Sequence, residues 1–315
     1  MADNKTDNKE DSKLESNANA VCLPGHYDKD AGTCFTTEQL MEMAGAYNRY
    51  VTKERVGKTG LHLITIKNDK KYLLKQLRSK FEKECAGDEV CITKQKFMTE
   101  VAKEMKHELK TKTFRDKGPA GPDEWLGTDD IDKLLKPYEQ IYPDYKFMGA
   151  VPANCLEVKQ CALYEFDFGK QVSKGKTRIG IIFNLDTYGM PGSHWVSMFI
   201  NIPKGLLYYC DSAGAKPTPP IAKFVSHYKA YCKANSITYL EEINRNRYQF
   251  DPSECGVYSS NFQIRMLGGE SFDKIVSKAL NFKEINSCRN AYFSNQPVDS
   301  EPNKLCDPGR AKEKY

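Results

Sequence analysis

The stretch HWVSMFINIPKGLLYYCDS, residues 194–212, decides the fold. Its two apolar runs are joined by Pro203-Lys204-Gly205, which has the length and composition of a hairpin turn and predicts two antiparallel strands. His194 opens the first strand and Asp211 ends the second. Because the start of one hairpin strand lies beside the end of its partner, we expect these side chains to meet, with the carboxylate holding one tautomer of the imidazole.

Further strands and helices are predicted on both sides of the hairpin. Strands are predicted at RIGIIFNLD (178–186) and ITYLEEIN (237–244), and helices at residues 129–143, 217–236 and 256–267. Glycine and proline interrupt the chain at KGPAGPDEW, residues 117–125, which is the best candidate for a domain boundary. We therefore expect an α+β domain over residues 119–290.

The segments outside this domain differ from it in composition. Residues 1–20 are polar and lack aromatic side chains, which predicts a disordered tail. Residues 21–118 predict a mainly helical domain, in which Thr36 and Gln39 form a capping-box pattern at the start of a helix. Residues 291–315 are assigned to a C-terminal tail.

Residues 51–118 are strongly basic. Eighteen Lys or Arg residues stand against ten Asp or Glu in this stretch, a net charge of +8, whereas the whole chain carries +5. Solvated helix faces account for such a composition. It also fits a docking surface for DNA or another acidic partner.

The eleven cysteines predict no metal site and no disulfide framework. The chain has neither an apolar run of about 20 residues, as a membrane span needs, nor a secretory signal, so we expect no membrane contact and no secretion. An odd cysteine count in a reducing compartment favours thiols buried as small hydrophobic groups. Three loose groups lack the spacing of zinc ligands: Cys22 with His26 and Cys34, Cys85 with Cys91, and Cys155 with Cys161.

Cys255 has the sequence context of a nucleophile. It stands at the start of a predicted helix, after the turn-forming Asp251-Pro252-Ser253, and the positive end of a helix favours a thiolate. Gly256 follows, and a residue without a Cβ lets a substrate carbonyl approach the backbone closely. With His194 as a base, the pattern indicates nucleophilic catalysis by a thiol.

The order His194-Trp195, Asp211-Ser212, Gln249, Cys255-Gly256 resembles the ubiquitin-like-protein-specific (SUMO) protease family and its viral relatives, including the adenovirus proteinase. The resemblance implies a papain-like core in permuted chain order, with a central mixed sheet flanked by helices. It also implies that Cys255 is the nucleophile, His194 the general base, Asp211 the residue that orients the base, and Gln249 an oxyanion donor.

The resemblance extends beyond these four residues. DEWLGTDDI, residues 123–131, is similar to the family's entry segment, which implies that Trp125 covers the substrate tail while Trp195 lies beside the base. Packing at a helix start is the alternative for Trp125. GTCFTTEQL at 32–40 and AYN at 46–48 resemble the leading region of thiol proteases from large nucleocytoplasmic DNA viruses.

The expected activity is that of a cysteine endopeptidase without a cofactor. We expect it to cleave after small, Gly-type residues and to process viral structural or capsid precursors, in the host cytoplasm (the viral factory) and in the virion. Gly256, Trp125 and Trp195 are the expected substrate-binding residues. A protease that removes ubiquitin or a ubiquitin-like modifier is the alternative. An acyltransferase, or a binding module that retains the fold, is a further one.

Overall fold

The computed structural model describes residues 22–23, 32–54, 62–121, 123–277, 279–294 and 305–306. The tail predicted at residues 1–20 lies outside them. The described residues fall into two compact units, which divide the chain between Asp116 and Lys117 and again between Tyr292 and Phe293. The first division falls at the start of KGPAGPDEW.

The first unit is mainly helical where the structure describes it. Its α-helices are α1 (Thr37–Glu54), α2 (Lys70–Lys80), α3 (Glu82–Cys85), α4 (Glu89–Thr93) and α5 (Lys103–Glu108). The predicted capping box is confirmed, because the backbone N–H of Gln39 donates to Thr36 Oγ1 (3.2 Å) and the N–H of Thr36 donates to Gln39 Oε1 (3.0 Å). Buried apolar side chains including Phe35, Leu40 and Leu73 form the core of this unit.

The second unit is built on a five-stranded mixed sheet. The strands are β1 (Tyr145–Pro152), β2 (Arg178–Asn184), β3 (Trp195–Asn201), β4 (Leu206–Cys210) and β5 (Leu240–Ile243), in the order β1-β2-β3-β4-β5. The outer pairs β1–β2 and β4–β5 are parallel, and the inner pairs β2–β3 and β3–β4 are antiparallel. Strand β1 was not predicted, because Gly149 and Pro152 break its apolar pattern and its register shifts between Phe147 and Ala150.

Helices flank this sheet, which confirms the α+β class and the mixed central sheet. They are α6 (Thr128–Leu135), α7 (Tyr138–Ile141), α8 (Phe168–Ser173), α9 (Pro219–Ala234), α10 (Cys255–Leu267), α11 (Phe272–Ser277) and α12 (Phe282–Tyr292). The helix predicted at 129–143 is divided into α6 and α7 at Lys136 and Pro137. Helix α12 continues past residue 290 to Tyr292.

Helix α10 is buried along its whole length and packs on β3. Gln263 Nε2 donates to Ser197 Oγ (2.7 Å) and to the carbonyl of Met198 (2.8 Å). Ser259 Oγ donates to the carbonyl of Trp195 (3.0 Å). Buried polar groups are costly unless they are paired, so these bonds fix α10 in one position against the strand that follows His194.

The expectation that most cysteines are buried thiols is wrong. Eight of the eleven form disulfides: Cys22–Cys34, Cys85–Cys91, Cys155–Cys161 and Cys288–Cys306. Their Cα atoms lie 5.0–5.5 Å apart, as a disulfide requires. Three of these pairs are the loose groups seen in the sequence, although His26 lies outside the described residues. Cys210, Cys232 and Cys255 carry free thiols.

Within the described ranges, every helix is too short or too polar to cross a membrane.

Candidate active site

The predicted hairpin is present and joins β3 to β4. Gly205 closes the turn with a φ of +64°, and a Cβ at this position would lie 1.9 Å from the carbonyl oxygen of Thr238, so the turn requires glycine. Ser197 pairs with Cys210, so a continued register sets Val196 opposite Asp211. His194 is two residues before Val196 and on the same face, and it therefore meets Asp211 diagonally across the strands.

His194 and Asp211 are in direct contact. The Nε2 atom of His194 lies 2.7 Å from Asp211 Oδ1, and the Asp211 side chain is only 1% exposed. The backbone N–H groups of Ala213 (2.8 Å) and Ala215 (3.2 Å) donate to the same carboxylate. With its position fixed by these donors, the carboxylate holds the imidazole ring in one orientation.

Two opposing effects set the pKa of His194. Burial of the ring is the largest single effect, and it lowers the pKa because the charged form loses its hydration. Hydrogen bonds with Asp211 and with the side chain of Cys255, together with the charge of both groups, outweigh burial and raise the pKa to about 9. The imidazolium form is therefore favoured at neutral pH, as in a thiolate–imidazolium pair.

Cys255 is the first residue of α10 and lies within hydrogen-bonding reach of the His194 ring. Because Asp211 occupies Nε2, the nitrogen left for the thiol is Nδ1. The turn before Cys255 is fixed by Asp251, whose Oδ1 accepts from the N–H groups of Ser253 (3.1 Å) and Glu254 (2.8 Å). The Cys255 thiol thus has a neighbouring imidazole and lies at the positive end of a helix. Both features favour a thiolate.

Gln249 is buried in the same loop, 5% exposed. Ser212 Oγ donates to its Oε1 (2.5 Å), and its backbone N–H donates to the carbonyl of Ser212 (3.1 Å), which ties the loop to the end of β4. Its Nε2 donates to the carbonyl of Asp251 (2.9 Å). The structure therefore joins His194 to Asp211 directly and brings the Cys255 side chain into interaction with His194, and it links Gln249 to this group through Ser212 and Asp251.

The structure places Trp195 beside Gly256, and Trp125 in the segment that contacts Trp195. The indole N–H of Trp195 donates to the carbonyl of Leu126 (2.9 Å), which fixes the segment 123–127 beside the site. The neighbouring Trp125 is 51% exposed. A Cβ on Gly256 would lie 2.9 Å from Leu126 Cβ and 3.3 Å from Trp195 Cδ1. A glycine at position 256 therefore makes space for the side chains of Leu126 and Trp195. Close approach of a substrate carbonyl, inferred from the sequence, is not needed to account for a glycine here.

Comparisons with known proteins agree with this site. The model of the Ulp1 protease family, C-terminal catalytic domain, matches residues 169–297. A protein of Acanthamoeba polyphaga mimivirus, described as a thiol protease, is 52% identical over 298 residues, which cover 91% of this chain and 98% of that protein. The chain belongs to the Ulp1 family of cysteine proteases.

Other members of this family resemble part of the chain. A cysteine protease of African swine fever virus is 24% identical over 159 residues, covering 50% of this chain and 56% of that protein. The crystal structure of the African swine fever virus protease superimposes with a TM-score of 0.56 at 19% identity, covering 88% of this chain and 97% of that one. The likeness of fold thus extends over more of the chain than the sequence match does.

Several residues that shape this Ulp1-family site were not found from the sequence. The turn at Asp251-Pro252-Ser253 was predicted, but the role of the Asp251 carboxylate in accepting from the backbone N–H of Ser253 was not. Asn244 had no signal in the sequence, although its Nδ2 donates to the carbonyl of Asp211 (2.6 Å). Glu254 and Arg289 form a buried ion pair next to the nucleophile, 35 residues apart in sequence. Only the fold brings such groups together.

We expect Gly256→Ala to destabilise the protein. The new Cβ overlaps Leu126, and overpacking of this kind typically costs about 1–3 kcal/mol. The melting temperature should fall by roughly 2–4 °C for each kcal/mol in a domain of this size, and KM should rise because Trp125 is displaced. Calorimetry and steady-state kinetics measure both.

Gly45→Ala is the matched control for this substitution. Gly45 is also a helical glycine, but its nearest neighbour is the flexible end of Arg49 at 3.2 Å. Alanine favours a helix interior, so this variant should keep or raise the melting temperature. Equal changes in melting temperature for the two variants would show that overlap with Leu126 is not what makes alanine unfavourable at position 256.

Proposed function

We propose that this cysteine peptidase cleaves peptide bonds with Cys255 as nucleophile, His194 as acid and base, and Asp211 as the residue that orients His194. The observation that carries the proposal is the 2.7 Å contact of Asp211 with His194, together with Cys255 at the start of α10, whose side chain is among the groups that raise the pKa of His194. The same three groups give the shared chemistry of thiol proteases, in which an imidazole keeps the thiol ionised.

The proposed cycle uses only groups of this chain, the substrate and water. The Cys255 thiolate attacks the scissile carbonyl carbon, and the oxygen of the tetrahedral intermediate becomes negative. His194 gives its proton to the leaving amine, the C–N bond breaks, and a thioester remains on Cys255. Water then gives a proton to His194 and attacks the thioester, which releases the acid and restores the thiolate.

The oxyanion is proposed to bind at the start of α10. The backbone N–H of Cys255 belongs to the first turn, whose amide donors have no partner within the helix. Gln249 is proposed as the second donor. In this structure its Nε2 donates to the carbonyl of Asp251. When substrate binds, the Gln249 amide must therefore either turn towards the oxyanion or donate its second N–H to it.

Gln249→Ala should lower kcat by roughly 10²–10³-fold, the usual effect of removing one oxyanion donor. KM should change little, because the interaction forms only in the transition state. The measurement is steady-state kinetics on a peptide substrate, with Gln249→Glu as a variant of similar size that lacks the amide donor. A change confined to KM would refute the oxyanion role.

The substrate is proposed to be a viral structural or capsid precursor, cleaved after small, Gly-type residues. Trp125 supports this specificity, because it is a half-exposed aromatic residue next to Leu126, which itself packs on Gly256. The proposal is that the Trp125 ring leaves a narrow approach for the residues before the scissile bond. The relatives described above come from viruses, which supports the choice of precursor.

Peptide profiling tests the substrate proposal. A library that varies the residue before the scissile bond should show cleavage after Gly well above cleavage after Ala or Leu, and Trp125→Ala should reduce that preference.

A second experiment compares cleavage of virion precursors with cleavage of ubiquitin-like modifier tails. Turnover of modifier tails alone would favour deconjugation, which agrees with the name "SUMO-1 cysteine protease" of a relative in African swine fever virus. Acyl-CoA turnover without peptide cleavage would favour acyl transfer.

The basic stretch 51–118 is proposed to recruit DNA or an acidic protein. Lys71, Lys75 and Lys103 are exposed within it, as an electrostatic surface requires. Cleavage of a substrate that includes the acidic partner should fall steeply as salt rises. Glutamine at all three lysines should flatten that salt dependence, whereas an unchanged slope would remove the proposal.

The enzyme is proposed to act in the virion as well as in the host cytoplasm. Four disulfides persist more readily in a particle than in a glutathione-rich cytoplasm. Peptide mapping under non-reducing conditions should recover the disulfide-linked peptides from purified virions. Recovery of only reduced cysteines from virions would contradict this location.

A further inference from the structure

A buried ion pair involves Glu254, the residue that precedes Cys255. Arg289 of α12 donates to the carboxylate of Glu254 through Nε (3.1 and 3.2 Å) and through Nη2 (2.9 Å). The two side chains are 1% and 0% exposed. Glu254 occupies the N-cap position of α10 without a side-chain capping bond, and it immediately precedes Cys255. The ion pair therefore involves the residue at the helix start where the thiolate is proposed to form.

A carboxylate at this place is unfavourable for a thiolate unless it is compensated. Two like charges close together raise the pKa of the group that ionises second, and burial strengthens the effect. Among the described residues, the Cys255 side chain interacts with His194, which contacts Asp211, and Asp251 and Glu254 stand in the turn before Cys255. Arg289 of α12 pairs with Glu254, and Asp123 accepts a hydrogen bond from Asn286 of the same helix. Arg289 balances the carboxylate that is nearest to Cys255 along the chain.

The same helix also contacts the segment that carries Trp125. Asn286, one turn before Arg289, donates through Nδ2 to Asp123 Oδ1 (3.0 Å) and to Glu254 Oε1 (3.3 Å). Ser253 Oγ donates to that carboxylate oxygen as well (3.3 Å). One face of α12 therefore holds both the turn before the nucleophile and the start of the segment 123–127.

Helix α12 is itself fixed in place. The Cys288–Cys306 disulfide joins it to the residues near the end of the described chain. Asn261, on α10, donates through Nδ2 to the hydroxyl of Tyr292 (3.0 Å) and to the carbonyl of Leu305 (2.8 Å). These bonds give Arg289 a rigid base from which to position Glu254.

We propose that Arg289 is a positioning residue for proteolysis, which neutralises and clamps Glu254 so that the Cys255 thiolate stays available and correctly placed at neutral pH. The proposal rests on the proposed function of Cys255 as the nucleophile. The guanidinium suits this task because its planar fork binds a carboxylate through two nitrogens and keeps its charge when buried.

Alkylation of Cys255 tests the proposal. The rate of reaction with iodoacetamide, followed across pH, reports the thiolate of Cys255 without requiring proteolysis. Arg289→Gln should move the midpoint of this profile upward by about one pH unit, which corresponds to a roughly tenfold slower reaction below the midpoint. It should lower kcat at least as much, with a much smaller change in KM.

Three further variants separate positioning from stability. Glu254→Gln combined with Arg289→Gln should return the midpoint close to that of the unmodified protein, because the uncompensated charge is gone. Arg289→Lys retains the charge without the fork, and should keep the midpoint while kcat falls. Arg265→Gln removes another buried arginine, paired with Glu270 near the far end of α10, and should lower stability without moving the midpoint.

The outcomes decide between the two roles. An unchanged midpoint in Arg289→Gln, or an equal shift in Arg265→Gln, would overturn the proposal and leave Arg289 a structural residue. If Arg289→Gln does not fold, Arg289→Lys decides: a lower kcat with an unchanged midpoint and an unchanged KM supports positioning, and an unchanged kcat overturns the proposal. Failure of the proposed function would be seen separately, as cleavage that survives complete alkylation of Cys255 in the unmodified protein.

Discussion

Replacing Cys255 by alanine should abolish peptide cleavage and leave the fold intact. No other described thiol lies beside an imidazole, so no substitute nucleophile is at hand. We expect a loss of roughly 10⁴-fold or more in kcat/KM, since removing the nucleophile leaves only binding and the oxyanion donors. Activity is measured on a peptide substrate, and the fold by circular dichroism and melting temperature.

Cys232→Ala is the matched control for that variant. Cys232 is also a free, fully buried thiol, but it lies on α9 within the apolar core of the second unit. Its removal should lower the melting temperature slightly through lost packing and leave kcat/KM unchanged. Cleavage retained by Cys255→Ala would contradict the catalytic assignment, whatever the control shows.

His194→Ala should produce the second largest loss. General acid–base catalysis contributes typically about 10²–10⁴-fold, and this variant also loses the cation that stabilises the thiolate. We therefore expect kcat/KM at pH 7 to fall by roughly 10⁴-fold. Alkylation of Cys255 should then follow the pH dependence of an ordinary thiol, with a midpoint of about 8.5. Alkylation as fast as in the unmodified protein at pH 6 would contradict the pairing.

The pH dependence of the unmodified enzyme follows from the same pair. The pKa of His194 is raised to about 9, so the imidazolium is present below that pH and lost above it. Cleavage should therefore decline as pH rises through about 9, because the leaving amine loses its proton donor. Asp211→Ala removes one of the two partners that raise this pKa, and should move the alkaline decline to lower pH. An alkaline limb that does not move would exclude Asp211 from the pair.

The parts predicted from sequence are those governed by local rules. The hairpin at Pro203-Lys204-Gly205 follows from turn chemistry and alternating apolar residues, and the position of Cys255 at a helix start follows from a turn followed by helical periodicity. The contact between His194 and Asp211 follows from strand pairing alone. All three features require only residues that are close in sequence or paired by one short turn.

The parts that were missed depend on residues far apart in the chain. Strand β1 pairs in parallel with β2, a non-local contact, and carries a glycine and a proline that hide its pattern. The Glu254–Arg289 pair and the fit of Leu126 against Gly256 arise only once α10, α12 and the segment 123–127 are assembled. The disulfides were not predicted, because an odd cysteine count argues against complete pairing, whereas here eight cysteines pair and three thiols stay free.

Stoichiometric alkylation tests the central claim, that Cys255 is the reactive thiolate of this protease. Burial raises the pKa of Cys210 to about 12 and also raises the pKa of Cys232, so both should be inert at pH 6. Without reductant, iodoacetamide at pH 6 should add one label per chain, at Cys255 by peptide mapping, with activity lost in proportion to labelling. A label found instead at Cys210 or Cys232, or full activity after complete labelling of Cys255, would contradict the account.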